Sequence, residues 1–347
     1  MSKIGELASI ANFIIIFLVP FLGILSDYYG RKPFIVLTGF TMAMGLFIVG
    51  LTPEYILLVL AYTLIRFSFR GGQPVRGALI AESVSKETLG AAVGIVTSSF
   101  FIARVFIPSL AGLMADIAGY PPTFLLGGFV VVTGATVFLV YGVETYRGRP
   151  GRPSIASVIR DLKPRKNFNW LYISTLIDRF GWSLWFPLLN AYIGKEFGLS
   201  ATEVGFLNSL MFTVLLLTQY LMGKWIDKVG YFRGLIISEA VAALAAFTLG
   251  FTGSIYFLVA GMLGTGLAMS IWIPAYNKAV SLNSEKEYRA VEFSKINTYR
   301  AIAAIPAPYI GGYLYDYVSP RLPFEISSVM FIITAILFYY TWRKRCK

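Results

Sequence analysis

Charged side chains set inside apolar runs are where this sequence can do chemistry. Arg66, Arg70, Gln73 and Arg76 follow one another at spacings of four, three and three residues, which brings them to one face of a helix. Arg104, Arg179, Lys278 and Arg300 are the other cations in apolar surroundings, and Asp178, in STLIDRFGWSLWFPLL, is the acid that stands centrally in such a run. A guanidinium fork grips carboxylate or phosphate through paired hydrogen bonds. A buried carboxyl loads and releases a proton near neutral pH unless a neighbouring cation holds it ionised. Asp178 is therefore read as the candidate proton-coupling residue, or as the counter-ion of Arg66 or Arg70, with a static pair with Arg300 or Arg179 as the alternative. The chain has no histidine, so a coupled proton must ride on a carboxyl group. Its one cysteine, Cys346, excludes an internal disulfide and a thiolate metal site, and neither metal nor cofactor is expected.

These charges sit in a chain of 347 residues that is 56% hydrophobic, 16% aromatic and 14% charged. Soluble domains carry about 25% charged residues; this is the composition of an integral membrane protein. A spanning helix needs about 20 predominantly apolar residues, and eleven runs qualify: 5–25, 34–51, 54–80, 90–114, 122–142, 168–193, 202–222, 234–251, 254–280, 290–315 and 322–341. The expected fold is an all-α membrane bundle.

Lysine and arginine orient it. With the loop at 23–33 inside, alternate loops place Arg31, Lys32, the basic stretch from Arg147 to Lys166, Lys224, Lys228, Arg233 and the RKRCK tail on the same side, against Lys3, Lys195 and Arg321 opposite. That bias puts the C-terminus in the cytoplasm, and a plasma-membrane location is expected. The formal charge of +12 belongs to dispersed membrane loops, not to a nucleic-acid surface.

A shift of 200 residues lays Gly23, Asp27 and Gly30 on Gly223, Asp227 and Gly230, Pro74 on Pro274, Lys86 and Glu87 on Lys286 and Glu287, and Pro108, Gly112 and Asp116 on Pro308, Gly312 and Asp316. One register across four segments predicts two homologous bundles, 1–142 and 168–347, joined by a basic linker at 143–167.

GILSDYYGRKP, residues 23–33, resembles the loop signature G-x-L-x-D-x-x-G-R-(K/R) of the major facilitator superfamily through Gly23, Leu25, Asp27, Gly30, Arg31 and Lys32, and GKWIDKVGYFR is similar to its weaker second copy. The resemblance implies two six-helix bundles around a central cavity that opens alternately to either side. Because the motif follows the second helix of that family, the first run here matches helix two, and a further helix is expected before Met1. The resemblance also implies that Gly23, Asp27, Gly30, Arg31, Lys32 and Glu82, with Gly223, Asp227 and Gly230, form a gate. In it Asp27 would meet the start of the eleventh helix near Ala290–Phe293, and Arg31 would pair with Glu82.

By the same resemblance the fourth, seventh and tenth helices line the cavity. Arg66, Arg70, Gln73, Trp182, Trp185, Trp272, Tyr276 and Asn277 on those helices, with the intramembrane Arg104 and the amide Gln219 on the fifth and eighth, are the candidate substrate-binding residues, an aromatic wall with a few polar fixers. The helix-four arginine of the family's proton exchangers would fall at Tyr62, and its helix-five glycine pattern reads Arg104, Ile107, Pro108, Ala111 and Gly112 here; both departures count against an ordinary drug–proton antiporter. The expected function is secondary active transport of a small solute, possible coupling to protons included, with a bias toward anions; the alternatives are drug or sugar transport and, more distantly, a sensor that transports nothing. The chain offers no nucleotide-binding loop and no nucleophile paired with a base, so an enzyme is not expected; its partners are a small-molecule substrate and membrane lipid, with the chain a monomer.

Overall fold

The computed structural model describes residues 1–85, 88–145, 168–251, 254–284 and 289–345. These are helical almost throughout, without a strand among them. The linker centred on 146–167, the Lys86/Glu87 and Lys286/Glu287 pairs and Cys346 lie outside the described residues.

In chain order the helices are α1 (Ser2–Tyr29), α2 (Lys32–Leu51), α3 (Tyr55–Ser83), α4 (Leu89–Ala118), α5 (Tyr120–Tyr141), α6 (Asn169–Trp185), α7 (Leu189–Phe197), α8 (Ala201–Val229), α9 (Tyr231–Leu249), α10 (Ile255–Asn283), α11 (Arg289–Ala303), α12 (Ala307–Tyr317) and α13 (Leu322–Arg345). Nine are long and apolar enough to cross a membrane among the described residues. The other four are two interrupted spans. A 3-10 turn, Phe186–Leu188, separates α6 from α7, and a turn at 304–306 separates α11 from α12. Pro187 and Pro306 each lack the amide that would continue the ladder. Nine and two make the eleven spans read from the sequence.

Glycine closes several helices where the chain must turn with positive φ, a region costly for other residues. Gly30 at φ 97° ends α1 and Gly230 at φ 89° ends α8, one at each copy of the repeated loop. The start of α8 is fixed by a capping box: the Ser200 hydroxyl accepts from the Glu203 amide while the Glu203 carboxylate accepts from the Ser200 amide, satisfying two of the orphan donors every helix start exposes.

The chain forms two compact units, one of Met1–Ser9, Arg104–Gly112 and Arg160–Lys347, the other of Ile10–Ala103 and Leu113–Ile159. In the first, Leu171, Tyr172, Ile226, Leu235, Ile271, Ala275, Tyr276 and Phe338 make a continuous buried cluster. Small residues let its helices approach closely: a side chain at Gly264 would meet Ala245, and one at Gly261 would meet Leu249. Lipid offers no hydrophobic drive between helices, so such close backbone packing supplies the association. In the second unit Gly45 lies against Ala61 and Ile65, Gly39 against Ala135 and Gly128 against Phe47, holding α2 to α3 and α5.

Two helix seams inside the first unit repeat at the 200-residue shift. Gly5 lies against the Pro308 carbonyl and the Ser9 hydroxyl accepts from the Tyr309 amide at 3.0 Å. Gly205 lies against the Pro108 carbonyl and the Ser209 hydroxyl accepts from the Ser109 amide at 3.2 Å. Glycine is required at both: a β-carbon would strike a backbone carbonyl that cannot rotate away.

Candidate functional site

In the second unit the first copy of the loop carries an ion cluster. Arg31, at the end of the α1–α2 turn with a side chain only 9% exposed, reaches Glu82 at the end of α3 through Nη2 at 3.1 Å and also bonds Asp27, one turn back on α1, and the Ser26 hydroxyl at 2.9 Å. Burial works against the guanidinium's charge, but the carboxylates of Glu82 and Asp27 outweigh it and raise its pKa further. The amide of Lys32 donates to the Glu144 carboxylate at 2.8 Å, so an anion caps α2 at its positive end. Gly30 packs against the same carboxylate, and Gly23 has open space where a side chain would stand.

The second copy, in the first unit, is built from other groups. Asp227 pairs with Lys278 of α10 at 2.7 Å, 72% and 28% exposed respectively. Tyr231 stands where the first copy has Arg31, and its hydroxyl accepts from Asn283 at 3.1 Å. Gly223, like Gly23, has no neighbour within reach of a β-carbon.

The face that carries Arg66, Arg70 and Gln73 lies on α3 in the second unit. Arg66 and Arg70 are half-buried and Gln73 is exposed. The Arg66 guanidinium sits 5.7 Å from the Tyr62 ring, and its Nε is buried without a hydrogen-bond partner among the described residues. Arg104 belongs to the first unit, 4.6 Å over the ring of Phe212.

The densest assembly of charge and aromatic rings is in the first unit. Asp178 on α6 is fully buried and accepts from Arg300 of α11 at 3.0 Å. Arg300 lies 4.3 Å over the Trp272 ring and 5.1 Å from the Tyr276 ring, and those two rings stack at 4.5 Å and 13°. Cation–π contacts of this kind hold a guanidinium in place without using its charge up. Trp182 packs on Trp185 at 5.3 Å and on Phe331 at 5.3 Å. Trp185 is fully buried against Phe324 as well, so it supports the wall from behind, whereas Trp182 and Trp272 keep partial exposure. Asn277 is exposed and Gln219 half-exposed on α8, and no contact draws either into this assembly among the described residues.

Three functional candidates were given no role by the sequence reading. Glu239 of α9, 1% exposed, faces Asp178 and Trp272; an acid within an apolar span was its signal. Glu144 follows the end of α5 and offered none. Glu292, fully buried, accepts from the Tyr172 hydroxyl at 3.3 Å and pairs with Lys295 at 3.6 Å; it lies in the most polar of the spans, where one acid among many polar residues did not stand out.

Comparison with known proteins agrees with this architecture. A family model described as Major Facilitator Superfamily matches residues 2–173 and 171–345. A protein of Citrobacter koseri named multidrug resistance protein MdtG is 23% identical over 332 residues, covering 94% of this chain and 81% of its own. Among solved structures, a POT family transporter in complex with a thioalcohol-conjugated peptide superposes with a TM-score of 0.78 at 14% identity, over 100% of this chain and 88% of its own. The human organic anion transporter MFSD10 does so at 0.68 and 18% identity, over 97% and 83%. With both stretches of the family model accounting for nearly every residue, the chain is a multi-pass membrane protein that belongs to the Major Facilitator Superfamily, a family of transporters of small molecules and not of enzymes.

Proposed function

We propose that the chain is a proton-coupled exporter of lipophilic aromatic compounds, working by alternating access in the plasma membrane as a monomer with its C-terminus in the cytoplasm. The observation that carries this is the state of Arg300: Asp178 matches its charge and the Trp272 and Tyr276 rings cover it. What remains beside it is partly exposed aromatic surface and a carboxylate, a combination suited to flat apolar solutes and to a carried proton. The multidrug name of the Citrobacter relative points the same way. Support for two homologous halves, 1–142 and 168–347 about a 143–167 linker, comes from the paired seams at one shift. In this reading the Arg31–Asp27–Glu82 cluster is a latch that breaks and reforms during the cycle. Positive-inside charge supports the orientation.

A second reading, transport of an organic anion, is favoured by one observation, the buried Arg66 Nε without a partner among the described residues, and the structural relative MFSD10 is named for such a substrate. Dye accumulation in cells stripped of their own exporters separates the two. Expression of the chain should lower accumulation of uncharged and cationic aromatic dyes several-fold, and a protonophore should abolish the effect. If only dyes bearing carboxylate or phosphate respond, and Arg66→Ala removes that response, the anion reading replaces the first.

A further inference from the structure

We infer that Asp178 and Glu239 form one proton-binding site, a carboxyl pair that shares a single proton beside Arg300, the cation bonded to Asp178. The inference deepens the proton coupling proposed above and rests on that reading for its use, though not for its detection.

Three facts of placement carry it. Asp178 is fully buried and Glu239 is 1% exposed, and each faces the other from a different helix, α6 and α9. One of the two Asp178 oxygens is bonded to Arg300 Nη2 at 3.0 Å. Asp178 Oδ1 and both Glu239 carboxyl oxygens are buried and accept no hydrogen bond among the described residues. Among the described residues the two carboxylates have one hydrogen-bonded cation between them, Arg300, so the bonded group of three carries one negative charge in excess. An uncompensated buried charge is strongly unfavourable, so the excess is removed by binding something positive.

The surroundings choose a proton. From α6 itself Arg179 is adjacent in sequence, and its electrostatic influence reaches Asp178. From α10 come Tyr276 and the Trp272 indole, and from α13 the apolar Phe331 that packs on Trp182. Among these neighbours the indoles and the guanidinium are donors, and the Tyr276 hydroxyl is turned to Asn297 at 3.5 Å. A sodium ion needs a shell of oxygens that this set does not supply; a proton needs one carboxyl oxygen and an acceptor facing it. On loading, one O–H bond forms at a carboxyl oxygen, no other covalent bond changes, and the triad passes from one net negative charge to none. Asp178 and Arg300 both precede the break in their spans, α6 before Pro187 and α11 before Pro306. A change of charge at the triad therefore acts on two spans whose hydrogen-bond ladders are interrupted.

Shared protons titrate as a property of the pair, and this gives the test. The full chain, reconstituted in liposomes without substrate in sodium-free buffer, is titrated from mildly acid to mildly alkaline pH while the infrared carbonyl band of protonated carboxyl groups is followed. The wild type should show one band equivalent to a single buried acid. Both Glu239→Gln and Asp178→Asn should lose it completely, because either leaves one carboxylate matched to Arg300. Arg300→Gln should double it. A band that survives in Asp178→Asn makes Glu239 an independent acid and overturns the pair, as does a wild type with no such band, which requires no variant to fold. Loss of the band on adding sodium overturns it in favour of a sodium site. Dye export driven by a pH gradient in a protein lacking the band would sustain the transport reading and sink the pair; the band with proton-independent export would do the reverse.

Discussion

The two copies of the repeated loop, 23–33 and 223–233, share a backbone and not a chemistry. Both end a long helix on a glycine of positive φ, at 97° and 89°, and both keep the aspartate three residues before it. Around the first, Arg31 bridges Asp27 and Glu82 while mostly buried. Around the second, Tyr231 takes the arginine's place, and an exposed Asp227 pairs with a partly buried lysine. The turn is set by what the chain must do sterically, and so it persists in both copies. The charges are set by what each copy must hold, and they have diverged. The helix seams make the same contrast from the other side: Gly5 on Pro308 and Gly205 on Pro108 keep both glycines because a carbonyl would block any side chain.

If the difference is one of burial, the largest effect should follow removal of Arg31. Arg31→Ala leaves Asp27 and Glu82 without their common cation; charge-assisted hydrogen bonds of this kind contribute about 1.5–3 kcal/mol each, discounted here because both carboxylates are partly exposed. Thermal unfolding in detergent should show a loss of about 2 kcal/mol, relieved in part by Glu82→Gln in the same chain. Equal destabilisation by Tyr231→Ala would show that the arginine's charge is not what distinguishes the copies.

The glycines test the shared part. An L-residue in the left-handed region costs roughly 1–2 kcal/mol, so Gly30→Ala and Gly230→Ala should both destabilise. Gly30→Ala should cost more, since its methyl would also displace the Glu144 carboxylate that caps α2, whereas the methyl at Gly230 enters open space. Unfolding midpoints of the two variants, measured alongside Glu144→Gln, separate the backbone cost from the displaced cap. A Gly230→Ala variant as stable as the wild type would mean that the second turn relaxes to another conformation.

How far such features could be read from sequence follows the same division. The eleven spans were legible because the bilayer demands a fixed run of apolar residues, and the repeat because glycine and proline answer to local backbone sterics that do not depend on partners. Even the two broken spans fell within runs 168–193 and 290–315, since a proline interrupts the ladder without interrupting the hydropathy. Asp178 was visible as an acid in an apolar run. Glu239 carried the same signal, yet nothing in one dimension aligns position 239 with position 178 across two separate helices. Glu144 was invisible for a simpler reason: it caps a helix whose start lies more than a hundred residues earlier, and capping from a distance leaves no local pattern. Arg300 needed both kinds of information, since its ring partners Trp272 and Tyr276 are spaced one turn apart on α10 but reach it only through the packing of α11.

The smallest effect belongs to the exposed pair of the second copy. Lys278→Ala removes a salt bridge whose aspartate is 72% exposed, and surface pairs of that kind contribute about 0–1 kcal/mol and fade with added salt. The variant should unfold within that margin of the wild type at low ionic strength and become indistinguishable from it at high ionic strength. The Arg31→Ala loss should keep most of its size under the same change, because a side chain that is 9% exposed is poorly reached by counter-ions. The salt dependence therefore tells more than either midpoint alone. It asks whether the two copies hold their aspartates by the same interaction at different depth or by interactions of different kind, and a salt-resistant loss at Lys278 would mean that the second copy closes over its ion pair in the membrane as the first does here.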